Sequence, residues 1–248
     1  MRELKAVVTG GTRGIGVGIA ESLVKRGASV AITYRSNEAD ALAAKEKLEG
    51  FISNGQKVLV LRGDNRDADL VAEQYRTIKE AFGPINVLVN NAGVMSIKSF
   101  QDITVKDWDE TLGINLSGAF YWCSAVVPGM KKERFGRIIN IASIAARGGG
   151  VVGPHYAASK AGMLGLTRYA ARDVGSFGIT VNAIAPAFIE DAGPFLEWSK
   201  EKIDALKDKV EVTRIGNVQD VVRAFEYLMD SSFVTGVTLD VNGGAFMI

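Results

Sequence analysis

The stretch Thr9-Gly-Gly-Thr-Arg-Gly-Ile-Gly16 limits what this 248-residue chain can fold into more than any other. It follows a short β-rich run, residues 4–9, and precedes a helical pattern that reaches about Arg26, where Gly27 stops it. Glycines at 10, 14 and 16 permit a tight turn and let another group approach the backbone at the amino end of the helix. A strand, a glycine turn and a helix in that order open a βαβ unit. A glycine cluster alone also suits a plain turn, so the remainder of the chain has to decide.

The alternation continues. Strands are read at residues 28–34, 57–61, 86–89, 136–141, 179–184 and 236–241. Helices are read at 37–53, 67–82, 108–130 and from Tyr156 to about Phe177. Short apolar strands alternating with helices indicate a parallel sheet covered on both faces. The expected fold is α/β, a doubly wound parallel sheet of about seven strands. No linker, repeat or low-complexity tract divides the chain, so residues 1–248 are read as one domain, with a variable segment at about 188–209.

Charge and composition exclude several classes of function. Lys plus Arg is 29 against 28 for Asp plus Glu, so neither nucleic acid nor a membrane surface is expected as a partner. The single Cys123 lies in an apolar helical pattern and reads as a core thiol. Met1-Arg-Glu-Leu-Lys5 leads straight into a strand, and no apolar run reaches 18 residues. The chain is expected to be cytoplasmic, with no metal.

Chemistry concentrates in Tyr156-Ala-Ala-Ser-Lys160. Residues four apart on a helix share a face, which sets a phenol beside an ammonium. A nearby cation favours the phenolate and lowers the tyrosine pKa from about 10. Such a tyrosine can pass a proton near neutral pH. Upstream, Arg137-Ile-Ile-Asn-Ile141 reads as a buried strand, and Ser143 follows at its carboxyl end. Ligands of open α/β sheets bind at that edge.

The glycine loop fits a dinucleotide pyrophosphate resting on the helix amino terminus. Where an NAD site usually has Asp or Glu after the second strand, this chain has Tyr34-Arg35-Ser36, with no acid before Glu38. Arg13 stands inside the glycine loop as well. Two guanidinium groups suit a 2′-phosphate, so NADP(H) is the expected cofactor, although both arginines also suit a solvated loop. Asp64 and Asn65 fall where an adenine ring could meet polar groups. Asn90-Asn91-Ala92-Gly93 follows the fourth strand, where small residues allow close approach and two asparagines also suit a turn.

Taken together, these pieces resemble the short-chain dehydrogenase/reductase family over nearly the whole chain, on the Thr9–Gly16 loop, Asn90–Gly93, Asn115, Ser143, Tyr156 and Lys160. The 3-oxoacyl-acyl-carrier-protein reductase branch is the most similar, on Ile179-Thr-Val-Asn-Ala-Ile-Ala-Pro186 and Val241-Asn-Gly-Gly244. The resemblance implies a Rossmann-type fold. It gives Tyr156 as acid or base, Ser143 on the substrate oxygen, Lys160 on the tyrosine and the nicotinamide ribose, and Asn115 holding a water that relays protons to Lys160. Cofactor contacts fall to Gly10, Thr12, Arg13, Gly14, Ile15, Gly16, Tyr34, Arg35, Ser36, Asp64, Asn65, Asn91, Ala92, Gly93, Tyr156, Lys160, Pro186 and Ile189. A homotetramer built on two long helices and the last strand is implied too.

Two departures stand out. The family's Pro-Gly is Pro186-Ala187 here, and its nearby threonine is Asp191. Alanine resists positive φ, so a different local backbone is expected. Arg134 matches one basic position for an acidic carrier, while Phe177 replaces the other; Lys131, Lys132 and Arg172 lie nearby. Phe195, Leu196 and Trp198 suit an apolar carbonyl substrate, and Gly148-Gly-Gly150 suggests a mobile wall opposite. His155 reads as a polar loop residue or a substrate contact. The expected activity is NADPH-dependent reduction of a ketone or 3-oxoacyl carbonyl, free or carrier-linked. An NAD(P)-dependent alcohol or sugar dehydrogenase, and an inactive nucleotide sensor, remain open as alternatives.

Overall fold

The computed structural model describes residues 3–247. Seven parallel strands are β1 (Lys5–Val8), β2 (Ser29–Tyr34), β3 (Val58–Arg62), β4 (Val87–Asn90), β5 (Gly136–Ile141), β6 (Ile179–Pro186) and β7 (Thr238–Val241). They lie in the order β3-β2-β1-β4-β5-β6-β7. The core strands are valine, isoleucine and alanine on both faces because helices cover both. Val8 pairs with Ile32 of β2 on one side and Val89 of β4 on the other. The strand order reverses there, opening a crevice at the carboxyl ends of β1 and β4.

One face carries α1 (Gly14–Lys25), α2 (Glu38–Glu49) and α9 (Val218–Asp230), which bury Ile19, Leu23, Leu48, Phe225 and Leu228 against the sheet. The other carries α3 (Ala68–Phe82), α5 (Gly118–Glu133) and α7 (Pro154–Val174), whose core includes Ile78, Trp122, Val126, Met130 and Val174. Short helices α4 (Val105–Leu112), α6 (Ala145–Gly148) and α8 (Lys200–Asp204) complete the set used below. The doubly wound, Rossmann-type expectation holds.

Three details differ from the sequence reading. Helix α9 is absent from that reading, yet its signals are in the sequence. Asn217 and Asp220 form a capping box, and buried Val218, Val221, Val222, Phe225, Leu228 and Met229 recur at helical spacing. The helix expected over 108–130 begins earlier, at Val105, because Thr104 and Asp107 form a capping box there. It then passes through a π-helical turn, Gly113–Ser117, before α5 continues it. Finally, α7 starts at Pro154, whose fixed φ and missing N–H suit the first turn.

Candidate active site

At the carboxyl end of β1, Gly10 (φ +60°) and Gly14 (φ +53°) adopt left-handed backbone that suits glycine. A Cβ on Gly16 would lie 2.3 Å from the Gly10 carbonyl and 2.5 Å from Asn91 Nδ2, so α1 can seat on the loop only with glycine there. Asn91 Nδ2 donates to the carbonyls of Thr9 (3.0 Å) and Gly10 (2.8 Å). The Thr9 hydroxyl accepts the N–H groups of Asn91 and Ala92, both at 3.0 Å. Thr9, unassigned from sequence, thus ties the loop to the end of β4. The first N–H groups of α1 have no acceptor within the helix and make an anion seat. Half-buried Thr12 and Ile15 lie in the same loop. A cradle closed to any Cβ beside a helix amino terminus fits a pyrophosphate.

The rim beyond β2 and β3 is rich in guanidinium groups. Exposed Arg35 follows half-buried Tyr34 and precedes exposed Ser36, and exposed Arg13 immediately precedes α1. Arg35 pairs with Glu110 of α4 at 3.0 Å. Arg62, which the sequence reading does not select, donates from Nε to the Arg35 carbonyl at 3.2 Å. A pocket of about 430 Å³ is lined by Arg35, Arg62, Gly63, Asp64 and Leu70. Asp64 is held by Arg66 (Nη2 to Oδ2 2.6 Å), and that hydrogen bond keeps its carboxyl below the usual range. Asn65 is buried, and its Oδ1 accepts Trp122 Nε1 at 3.2 Å.

Across the crevice, Ser143, Tyr156, Lys160 and Asn115 come together. Ser143 Oγ accepts the Ala145 N–H at 3.2 Å, and the serine hydrogen-bonds the Tyr156 phenol. Burial raises the Tyr156 phenol, and the Ser143 hydrogen bond opposes it. Lys160 Nζ lies 5.8 Å from the Tyr156 ring centroid and donates to the Ile141 carbonyl at 2.7 Å. Burial pushes this lysine down to about 8.

Asn115 sits in the π-helical turn, a feature that recurs at functional sites. Its Oδ1 accepts the Val94 N–H at 2.8 Å, and its Nδ2 donates to the Val94 carbonyl and to Ser159 Oγ, both at 3.1 Å. The side chain is therefore fixed on protein groups. Ser159 in turn donates to the Tyr156 carbonyl at 2.8 Å. It stands inside the Tyr156–Lys160 stretch, and its small polar side chain on a buried face was the available signal. A Cβ on Gly93 would lie 3.3 Å from Asn115 Oδ1 and 3.6 Å from Lys160 Nζ, so the two sites are continuous.

The segment after β6 accounts for Ala187 and Asp191. Pro186 ends β6, buried Ile189 pairs with Gly216 in a parallel bridge, and the left-handed residue is Phe188 (φ +49°), not Ala187. Asp191 Oδ1 accepts the Val218 N–H at 2.7 Å, so this carboxylate caps α9. Ala192 packs against Gly14, its Cα 3.2 Å from where a Cβ would stand. Phe195 packs edge-to-face on Phe188 (6.5 Å) and Trp198 (4.8 Å). Opposite, Gly149 and Gly150 have positive φ, and the Phe246 ring lies 3.2 Å from a Cβ position on Gly148.

His155 is a correction. It is fully buried at the second position of α7, and neither ring nitrogen meets a partner of ordinary geometry among the described residues. Burial pushes its pKa down against the pull of Asp107. Cys123 is buried as expected, its thiol pushed up to about 12. Among the described residues no group of His, Cys, Asp and Glu could hold a metal, and no helix is long and apolar enough to cross a membrane.

The family model described as short chain dehydrogenase matches residues 4–202. The chain is similar to the 3-oxoacyl-acyl-carrier-protein reductase FabG of Staphylococcus epidermidis, 35% identical over 245 residues covering 98% of each chain. It is 37% identical to the enzyme of that name from Vibrio harveyi over 246 residues, 98% of this chain and 97% of the relative. The Salmonella typhimurium enzyme is also 37% identical, over 245 residues with the same coverage.

Proposed function

We propose, for a chain that belongs to the short-chain dehydrogenase family, that it is an NADPH-dependent reductase of a ketone or 3-oxoacyl carbonyl. Membership makes it an oxidoreductase acting on carbonyl or hydroxyl groups; cofactor choice, direction and site roles are our reading. The observation that carries it is the meeting of half-buried Ser143 and Tyr156 with buried Lys160 and Asn115 beside the glycine cradle.

Gly10, Gly14, Ile15 and Gly16 would hold the pyrophosphate, Asn91 through Gly93 and Lys160 the nicotinamide side, and Arg13 and Arg35 a 2′-phosphate. When bound, the cofactor supplies the hydride that reaches the carbonyl carbon. Tyr156 keeps its proton because burial disfavours the phenolate, and it delivers that proton to the carbonyl oxygen as charge develops. The Ser143 hydroxyl hydrogen-bonds the same oxygen. Lys160, as ammonium, then stabilises the phenolate and helps return its proton. Asn115 and Ser159 hold the backbone around Tyr156 and Val94 in register.

A protonated tyrosine favours reduction; in the alcohol-dehydrogenase reading the same residue would start as a base. Asp191 gives no support to a sensor without turnover, because it caps a helix. Carrier-linked substrate remains part of the proposal: Lys131 and Arg134 lie 5.0 and 5.9 Å from the Phe177 ring, keeping two cations together where an arginine is replaced. We also propose a homotetramer, because exposed Phe120 and Tyr169 on α5 and α7, and Phe233 and Val237 beside edge strand β7, leave apolar surface to cover.

The test is to follow NADPH consumption with an acetoacetyl thioester of N-acetylcysteamine and with a simple aryl ketone. Turnover of either, faster than NADP⁺ reduction by the matching alcohol at neutral pH, is expected. Oxidation alone, or no turnover in either direction, would overturn the reading.

A further inference from the structure

The acid missing after β2 is supplied from elsewhere in space. Glu110, on α4, is 75 residues away in sequence, yet its carboxylate pairs with Arg35 at 3.0 Å and lies 3.9 Å from Arg66 Nη1. The pocket rim thus brings three guanidiniums, Arg35, Arg62 and Arg66, against two carboxylates, Asp64 and Glu110. Their commitments differ. Asp64 is engaged by Arg66 through Nε, Nη2 and the backbone N–H, within two residues of chain. Arg62 directs its Nε to the Arg35 carbonyl. Arg35 thus finds its ionic partner on a separate helix, a carboxylate that Arg66 reaches only at 3.9 Å while holding Asp64.

That helix presents the carboxylate firmly. Thr104 and Asp107 cap α4 reciprocally, and Lys98 ties Asp107 at 2.7 Å. Three residues beyond Glu110, the Arg66 stem lies against Gly113, with Cγ 3.0 Å from a Cβ position there. A 2′-phosphate on Arg35 would compete with Glu110 for the Nη1 donor and be repelled by that carboxylate. A ribose 2′-hydroxyl meets neither cost.

We propose that Glu110 is a specificity-determining residue, the counter-ion a 2′-phosphate must displace from Arg35, and that it narrows the NADPH-over-NADH preference. The inference rests on the phosphate reading of Arg35 above. Because the pair is partly exposed, its effect is modest.

The experiment is fluorescence titration of the full chain and of Glu110→Gln with NADPH and NADH, repeated with adenosine 2′,5′-bisphosphate and 5′-AMP. Removing the charge should tighten NADPH and the bisphosphate by about three- to tenfold, leave NADH and AMP unchanged, and lose most of that gain in 1 M salt. Glu110→Ala should behave alike, which guards against an effect of the new amide or a misfolded variant. A wild-type chain with no NADPH preference would overturn the phosphate reading and this inference together. A wild-type preference left unchanged or reduced in both variants would overturn the inference alone.

Discussion

At the proposed adenosine end of the cleft, Arg35 and Glu110 meet with their side chains 46% and 35% exposed. At the proposed catalytic end, Lys160 is 4% exposed and donates to a backbone carbonyl. Both ends use cations, but water sets the strength of the first and its absence sets the second. An exposed ion pair is screened and contributes little, so it can be exchanged for a ligand's charge. A buried ammonium loses its hydration, and its pKa falls. The first arrangement suits selection between cofactors; the second suits proton transfer.

The comparison is tested most severely at the buried end. Ser143→Ala removes the hydroxyl that hydrogen-bonds Tyr156 and, in the proposed reaction, the substrate oxygen, and kcat should fall about 10²- to 10³-fold with NADPH affinity retained. Steady-state kinetics beside a binding titration would separate the two effects. A loss below tenfold would remove Ser143 from the site.

Lys160→Met comes next, with kcat reduced about a hundredfold, within the usual range of acid–base effects. Stability should move the other way. The folded-state pKa of Lys160, about 8, lies below its ordinary 10.5, so folding disfavours its ammonium. Below pH 8 both states are protonated and the burial costs on the order of 3 kcal/mol. As pH rises from 8 to 10.5 that cost is relieved, and the cofactor-free wild type should gain stability relative to the variant. Urea melts at pH 7 and pH 10 check the sign. A methionine variant less stable at pH 7 would show that the hydrogen bond to Ile141 outweighs the burial.

At the exposed end effects are smaller and salt-sensitive. Arg35→Ala should weaken NADPH about tenfold, or 1.4 kcal/mol, and leave NADH nearly unchanged. Titrations at low and high ionic strength would show the difference shrinking with salt. An equal loss for both cofactors would mean Arg35 supports the fold of the rim rather than a phosphate.

What the sequence reveals about these two ends follows from distance along the chain. The strands are legible because burial on both faces leaves continuous apolar runs. Tyr156 and Lys160 are legible because four residues make one helical turn. Glu110 is not, because its meeting with Arg35 depends on how α4 lies across the sheet edge. Asp191 is 27 residues from Val218, and only the bridge of Ile189 to Gly216 brings it to the end of α9. Asn115 is legible only through the family resemblance, because the π-helical turn that points it at Val94 has no local signature. Helix α9 is legible in its capping box and apolar spacing. Phe188 shows the converse: a departure at Ala187 signals an altered backbone, while the positive φ falls one residue later.

The central claim is that Tyr156 gives its proton to the substrate oxygen while taking little part in holding the cofactor. Tyr156→Phe tests it directly, with NADPH-dependent carbonyl reduction and NADPH binding measured on the same preparation. The account predicts a fall in kcat of about 10³-fold or more, with NADPH affinity within threefold of wild type. Turnover within tenfold of wild type, with NADPH still bound, would contradict it.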